Sequence, residues 1–248
     1  MSRPLIKICG IRDQDALDAA GNAPENGNRT GRANNSPNSG MHAGADFCGF
    51  IFHPASPRHV STEAAGRLDA RGLARVGVLV RAEPEEVART VEAARLDLIQ
   101  LHGDQEPDEI AAMRDLIRQR AGRRIGVIRT FWPARHASLA DLERELDRCA
   151  EVADLFLLDA GTSGGGSGRR LDPRGLIALR SPRPWLLAGG LTPENAPAAA
   201  AALAGNPMFA GLDVNSGVED APGRKNPARI RALLHAVRKA EAAFRVPN

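Results

Sequence analysis

The sequence predicts an α/β fold, a single (β/α)8 or TIM barrel, on three observations. First, eight short apolar runs recur along the 248 residues, and most are followed by a segment with helical periodicity. Second, this length is close to that of a typical eightfold barrel, about 250 residues. Third, apolar residues make up 43% of the chain and tyrosine is absent, so aliphatic side chains must form the core. We expect one domain over residues 1–248. A doubly wound open sheet is the alternative, because periodicity does not show closure.

The predicted strands and helices alternate along the chain. The strand candidates are residues 4–9, 46–52, 75–80, 97–101, 124–130, 154–159, 184–188 and 208–214. The helix candidates are residues 83–97, 104–120, 138–152, 192–205 and 226–244. Most of them open with a capping residue, a proline or acidic residues, as helix N-termini commonly do. The N-caps that we expect are Asp104, Ser138, Thr192 and Asn226.

One segment, residues 21–44, interrupts this alternation. It is rich in Asn, Gly, Pro and Ser and has almost no apolar residues to bury, so we expect a low-complexity, disordered insertion. It follows the first predicted helix and precedes the second strand, which places it on the N-terminal face of a barrel. Because barrel active sites lie at the opposite face, the insertion is predicted to be remote from the chemistry.

Charge and cysteine content argue against several classes of protein. The net charge is +3, and the arginines are spread without interleaved aromatic residues, so no nucleic-acid partner is expected. Cys9, Cys48 and Cys149 lie far apart and are odd in number, which argues against a disulfide framework and a metal site. No segment resembles a signal peptide or a membrane span, so we expect a cytoplasmic protein with no membrane partner.

Polar side chains gather at the C-terminal ends of several predicted strands. Alternation places Lys7 and Cys9 on one face of the first strand, together with Leu5. Three further strands show the same trend. The corresponding sets are Leu98, Gln100 and His102, then Ile125, Val127 and Arg129, then Leu155, Leu157 and Asp159. A barrel carries its catalytic residues at this end, whereas a lone cysteine is more often a buried small hydrophobe.

Glycine-rich stretches follow the last three predicted strands, at residues 159–172, 186–195 and 213–220. Glycine allows positive φ and lets backbone N–H groups approach a ligand closely. Loops at these positions hold the substrate phosphate in many barrels. The sequence therefore predicts a site for a small phosphorylated molecule.

The order and spacing of these motifs closely resemble the phosphoribosylanthranilate isomerase family. The matching stretches are KICGI (7–11), GFIFHPASPRHV (49–60), VGVLV (76–80), IQLHGDQ (99–105), LLDAGTSGGGSG (157–168), LAGGLTPENA (187–196) and GLDVNSGVEDAPGRK (211–225). The resemblance implies an eightfold barrel, as a monomer or homodimer, that uses no cofactor and no metal. The implied reaction is the Amadori rearrangement of N-(5-phosphoribosyl)anthranilate to 1-(2-carboxyphenylamino)-1-deoxyribulose 5-phosphate, in L-tryptophan biosynthesis.

The resemblance also implies a role for each matching residue. Cys9 corresponds to the general base, Asp159 to the general acid and Arg58 to the arginine that meets the anthranilate carboxylate. The other substrate-binding candidates are Lys7, Gln100, His102, Arg129 and Asp213, with Glu219 as a further supporting residue. The phosphate-binding candidates are Gly166, Ser167, Gly168, Gly189, Gly190, Ser216 and Gly217.

The chain departs from the family pattern at Pro173, Asn215 and Asn226, where an apolar or aromatic residue, serine and aspartate are usual. These departures bear on substrate contacts and efficiency more than on reaction type. Two other phosphate-binding barrels are alternatives: indole-glycerol phosphate synthase and the aminoaldose isomerase of histidine biosynthesis. A non-catalytic barrel that binds a phosphorylated ligand is another. The cysteine of the first strand argues against the two enzymes, and its retention with Asp159 argues against the non-catalytic barrel.

Overall fold

A computed structural model of the chain describes residues 3–21, 44–81, 83–159 and 172–244. Eight parallel strands form a closed barrel in sequence order, which confirms the predicted fold class and excludes the open sheet. The strands are β1 (Leu5–Ile8), β2 (Phe47–Ile51), β3 (Ala74–Leu79), β4 (Leu98–Leu101), β5 (Gly126–Phe131), β6 (Leu155–Asp159), β7 (Trp185–Ala188) and β8 (Phe209–Val214). Closure is direct, because β1 pairs with β2 on one side and with β8 on the other.

Helices surround the barrel. They are α1 (Gln14–Ala20), α2 (Thr62–Arg67), α3 (Pro84–Ala93), α4 (Pro107–Ala121), α5 (Leu139–Arg148), α6 (Ala196–Leu203) and α7 (Pro227–Phe244). A short antiparallel hairpin of β9 (Glu219–Ala221) and β10 (Arg224–Lys225) follows β8 and precedes α7. None of the described helices is long and apolar enough to cross a membrane.

Two predicted N-caps are confirmed. The Ser138 side chain accepts a hydrogen bond from Asp141 N at the start of α5. Asn226 Oδ1 accepts from Ala228 N at 2.8 Å and from Arg229 N at 3.0 Å, at the start of α7. Asparagine therefore caps this helix by the same contacts that an aspartate would make, so the departure at Asn226 has no structural cost.

The predictions of Asp104 and Thr192 as N-caps are wrong. Helix α4 begins two residues later than expected, with Glu106 as its cap, and Glu106 forms a reciprocal capping box with Glu109. Helix α6 begins at Ala196 because Asn195 Oδ1 accepts from Thr192 N at 2.8 Å and closes a turn before the helix.

The core has two layers, as alternation along the strands requires. One face of each strand packs on the helices and contributes to a large outer cluster that includes Ile6, Ile8 and Phe50. The opposite face fills the barrel interior. The buried residues of this interior cluster are Val76, Ile128, Leu155, Leu157, Leu186 and Ala188. Above it, toward the strand C-termini, Cys9, Ile51 and Val78 form a small separate cluster.

Most of the predicted insertion, residues 22–43, lies outside the described residues. The chain on its two sides is held together at the N-terminal face of the barrel. Ala45 N donates to Ala20 O at 2.8 Å, and Arg238 Nη2 of α7 donates to Gly44 O at 3.0 Å. The two ends of the insertion are thus fixed by contacts within the barrel.

We expect that replacing residues 22–43 by a four-residue Gly/Ser linker leaves kcat/KM unchanged within about twofold and changes stability by no more than about 1 kcal/mol. The physical reason is that the flanking hydrogen bonds already join the ends, far from the strand C-termini. Steady-state kinetics and urea unfolding of the shortened chain test this expectation. A tenfold loss of kcat/KM would show that the segment contributes to the site.

Candidate active site

A cavity of about 860 Å³ opens at the C-terminal end of the barrel. Most of the site residues predicted from the sequence line it. They are Cys9, Arg58, Gln100, His102, Asp159, Gly189, Gly190, Asp213 and Ser216. Gly166, Ser167 and Gly168 lie outside the described residues.

Cys9 follows β1 immediately and is 4% exposed. Two glycines leave space around it, Gly49 for its own side chain and Gly10 for Asn215. Gly10 has a φ of +74°, and a Cβ there would lie 2.8 Å from Asn215 Oδ1. A Cβ on Gly49 of β2 would lie 3.1 Å from Cys9 Sγ and 3.2 Å from Lys7 Nζ. The thiol and the ammonium group therefore share the space that Gly49 leaves open.

Lys7 lies beneath the cavity floor and its side chain is fully buried. Its Nζ donates to both carboxylate oxygens of Asp213, each at 3.0 Å, across the β1–β8 pair. Burial lowers the pKa of Lys7, but the charges of Asp213 and Cys9 outweigh it and the pKa is raised overall. Lys7 is therefore a permanent cation below Cys9. The ion pair with Asp213 explains how β1 can hold a buried lysine, because a buried charge needs a partner of opposite charge.

Burial raises the pKa of the Cys9 thiol. Lys7 and Lys225 oppose this shift by stabilising the thiolate, whereas Asp213 adds to it. The unliganded site therefore holds a neutral thiol beside two ammonium groups. Burial also raises the pKa of the Cys48 thiol, to about 12, although the cations Arg75 and Lys7 oppose that shift.

Gln100 and His102 line the cavity from β4 and the residue that follows it. Gln100 Nε2 lies 3.3 Å from His102 Nδ1 and 3.4 Å from Thr130 Oγ1, while Gln100 Oε1 has no hydrogen-bond partner among the described residues. The His102 ring meets Trp132 edge-on, at 5.2 Å between centroids. Burial lowers the pKa of His102, so the imidazole is neutral at neutral pH.

Arg58 lies in the loop after β2 and is held by Glu219. The Glu219 carboxylate accepts from Arg58 Nε at 2.9 Å and from Nη2 at 2.8 Å. Lys225 Nζ donates to the same carboxylate at 2.7 Å. Burial raises the pKa of Glu219, but these hydrogen bonds outweigh it and the pKa is lowered overall. Glu219 is therefore an anion between two cations.

The described glycine-rich loops line the cavity after β7 and β8. Gly189 and Gly190 have φ values of +101° and +64°, a conformation that favours glycine. Ser216 lines the cavity at the start of a single 3-10 turn. Gly217 does not line it. A Cβ on Gly217 would lie 1.8 Å from Leu191 O, so this glycine allows the two loops to pack together.

Arg129 is not among the residues that line the cavity, and the predicted inward orientation of Val127 and Arg129 is wrong. Val127 packs in the outer cluster, whereas Ile128 belongs to the barrel interior. Arg129 Nη1 donates to Gly103 O at 2.6 Å and to Thr130 O at 2.8 Å, outside the barrel. The inward polar residue near the end of β5 is Thr130, which contacts Gln100.

Lys225 is the main site residue that the sequence motifs did not single out. The chain has only three lysines against thirty arginines. Two of them, Lys7 and Lys225, are fully buried beside Cys9, while Lys239 is exposed on α7. The rarity of lysine among the basic residues is the feature of the sequence that could have pointed to Lys225.

In the described part of the chain, no three His, Cys, Asp or Glu side chains group as metal ligands.

A protein-family model and several known proteins match this chain over most of its length. The family described as N-(5'-phosphoribosyl)anthranilate (PRA) isomerase matches residues 7–236. The N-(5'-phosphoribosyl)anthranilate isomerase of Desulfovibrio desulfuricans is 44% identical over 230 residues, which is 93% of each chain. That of Rubrobacter xylanophilus is 37% identical, over 94% of this chain and 98% of the relative.

Solved structures show the same relationship. Phosphoribosyl anthranilate isomerase from Thermotoga maritima superposes with a TM-score of 0.69 at 31% identity, over 96% of this chain and all of that one. A complex of such an isomerase with reduced 1-(o-carboxyphenylamino)-1-deoxyribulose 5-phosphate superposes with a TM-score of 0.68 at 30% identity, over 96% of this chain and all of that one. On the extent of these matches, the chain belongs to the phosphoribosylanthranilate isomerase family.

Proposed function

We propose that this chain converts N-(5-phosphoribosyl)anthranilate to 1-(2-carboxyphenylamino)-1-deoxyribulose 5-phosphate, with Cys9 as general base and Asp159 as general acid. The observation that carries the proposal is that the ends of β1 and β6 place these two side chains in one cavity. The same cavity is lined by Arg58 after β2 and by glycine loops after β7 and β8. It thus offers a cation for a carboxylate and glycine-rich backbone for a phosphate.

The reaction needs two proton transfers. Asp159 donates a proton to the furanose ring oxygen, the C1–O bond breaks, and the anilino nitrogen lone pair forms an iminium at C1. Cys9 thiolate then removes the C2 proton, and that electron pair neutralises the iminium to give an enolamine. Tautomerisation gives the 2-ketone. Each well-placed proton transfer contributes about 10²–10⁴-fold to the rate.

The remaining polar groups assist these steps. Lys7 supplies a fixed positive charge beneath Cys9, which favours the thiolate, and Asp213 holds Lys7 in place. The neutral His102 and the unpaired Gln100 Oε1 face the cavity as hydrogen-bonding groups for the sugar. Arg129 has no part in this proposal, because its guanidinium is engaged outside the barrel.

The two ends of the substrate require different binding groups. A guanidinium matches a planar carboxylate by paired hydrogen bonds, so Arg58 is proposed to bind the anthranilate carboxylate. Backbone amides in glycine-rich loops suit a phosphate, and we propose Gly189, Gly190 and Ser216 for this role. The sequence-based candidates Gly166, Ser167 and Gly168 stay predictions for the same phosphate.

A fluorescence assay tests the proposed activity. Freshly generated phosphoribosylanthranilate is fluorescent and hydrolyses spontaneously, so the purified chain should accelerate the decay and yield the ribulose phosphate product. Chromatography separates that product from the anthranilate that hydrolysis releases. A decay rate equal to the spontaneous rate would reject the proposal.

We expect kcat/KM to rise with pH through the neutral range. A base must be deprotonated, and burial raises the pKa of Cys9 in the free protein while Lys7 and Lys225 limit the shift and Asp213 adds to it. Below that pKa the thiolate fraction grows about tenfold per pH unit, so log kcat/KM should rise with a slope of about 1. Kinetics from about pH 6 to 9 measure this, and a flat profile would contradict a thiol base.

A further inference from the structure

Lys225 has a fully buried side chain and neither donates nor accepts a proton in the two transfers. Its Nζ donates to Asn215 O at 2.9 Å, to Asn215 Oδ1 at 2.8 Å and to Glu219 Oε1 at 2.7 Å. An ammonium group has three protons, so these three acceptors use all of them. Lys225 therefore has no donor left for a substrate and acts through its protein neighbours.

Glu219 connects Lys225 to Arg58. The Glu219 side chain is 4% exposed, and it binds the Nε and one Nη2 proton of Arg58, which is itself 21% exposed and lines the cavity. A guanidinium has five N–H donors, so three of them are not used by Glu219. Glu219 therefore fixes the Nε and Nη2 side of the Arg58 guanidinium, while the other N–H donors remain for a ligand.

Lys225, Glu219 and Arg58 together carry a net positive charge. Lys225 and Arg58 are cations and Glu219 is an anion, so the group carries a net charge of about +1. That charge complements one carboxylate. Without Lys225, Glu219 would neutralise Arg58 completely, and the attraction for an anionic ligand would fall.

The backbone supports the same arrangement. Glu219 and Lys225 are paired residues of the β9–β10 hairpin. At its turn, Gly223 has a φ of +81°, and a Cβ there would lie 2.2 Å from Pro57 O. The hairpin thus lies directly against the loop that carries Arg58.

We propose that Lys225 is a positioning residue that, with Asn215 and Glu219, fixes the Arg58 guanidinium for the carboxylate of the substrate. This inference rests on the proposed isomerase function and adds a chain-specific component to it. Asn215 stands where serine is common in the family, and here its side-chain oxygen is one of the three acceptors of Lys225. Lysine suits the position because its ammonium group is compact enough for a closed set of three acceptors.

The first test compares Lys225→Met with Lys239→Met, its exposed counterpart on α7. Lys225→Met is expected to raise KM for phosphoribosylanthranilate at least tenfold, as for loss of a charge-assisted contact, while kcat falls by a smaller factor because one of the two cations that stabilise the Cys9 thiolate is lost. Lys239→Met should leave both constants unchanged. An unchanged KM in a folded Lys225→Met variant would overturn the proposal.

A double-variant cycle separates positioning from general damage. In an Arg58→Met background the ligand carboxylate has lost its partner, so adding Lys225→Met should raise KM by less than about twofold. A merely structural role would give multiplying losses, and that result would contradict the proposal. Wild-type turnover, measured in the same series, reports separately on the proposed function.

A binding measurement covers the case in which Lys225→Met does not fold. Asn215→Ser removes one acceptor of Lys225 and keeps every charge. Two probes are compared by titration: the reduced carboxyphenylamino-deoxyribulose phosphate and the phenylamino compound without the carboxylate. The ratio of their Kd values should fall about threefold in the variant, because other contacts of Asn215 cancel in the ratio. An unchanged ratio would overturn the proposal.

Discussion

Replacing Cys9 by alanine is expected to lower kcat by about 10²–10⁴-fold while binding of a product analogue is retained within a few fold. The reason is that the substitution removes the proposed base, yet the cavity walls, Arg58 and the glycine loops stay in place. Single-turnover kinetics together with titration by the reduced product analogue separate the two effects. Cys9→Ser should be nearly as inactive, since a hydroxyl is far less acidic than a thiol.

Cys48→Ala is the matched control for this prediction. Cys48 is also fully buried and belongs to β2 of the same barrel, but its side chain lies in the outer cluster, with its Sγ 3.7 Å from Ala74 O. Its substitution should lower stability by about 1 kcal/mol and leave kcat unchanged. If Cys9→Ala kept more than a tenth of wild-type kcat, the assignment of the base would be wrong.

Asp159→Asn is expected to lower kcat by a similar factor, about 10²–10⁴-fold. The amide has nearly the shape of the carboxyl group but has no acidic proton to give to the ring oxygen, so opening of the furanose should become rate-limiting. The loss should persist at every pH at which the protein is folded. Steady-state kinetics over a pH range, with circular dichroism to confirm folding, measure this effect.

Asp154→Asn provides a control next to the same strand. Asp154 directly precedes β6, near the opposite end of the barrel, where its Oδ2 accepts from Val127 N at 2.9 Å. An amide oxygen preserves that acceptor, so kcat should not change although the ion pair with Arg124 is lost. Equal losses in the two variants would mean that strand β6, and not proton donation by Asp159, explains the defect.

The barrel itself was predictable because the apolar runs of all eight strands are short and most are followed by a segment with helical periodicity. The β1 side of the site was also predictable, since Lys7 and Cys9 share the inward face. For β5 the prediction was wrong, because Arg129 is a polar residue near the C-terminal end of the strand but faces away from the cavity. Its Nη1 donates to two backbone carbonyls on the outer side, and the small Thr130 faces inward.

Other features depend on side-chain contacts that the sequence pattern does not show. Helix α4 is capped by Glu106 and not by the predicted Asp104. Glu106 and Glu109 form a reciprocal capping box, which an isolated aspartate does not. The role of Lys225 depends on three acceptors from the end of β8 and the hairpin after it. Its charge was readable in the sequence, but its burial was not.

The burial of two of the three lysines has a practical consequence for chemical modification. All three lie in the described chain, and Lys239 on α7 is the one whose side-chain amine is exposed. Of the three lysines, amine-directed reagents should therefore attach at Lys239, while Lys7 and Lys225 are shielded. A fluorophore or a solid support coupled through Lys239 would be attached on the outer helical layer, which leaves the mouth of the cavity open.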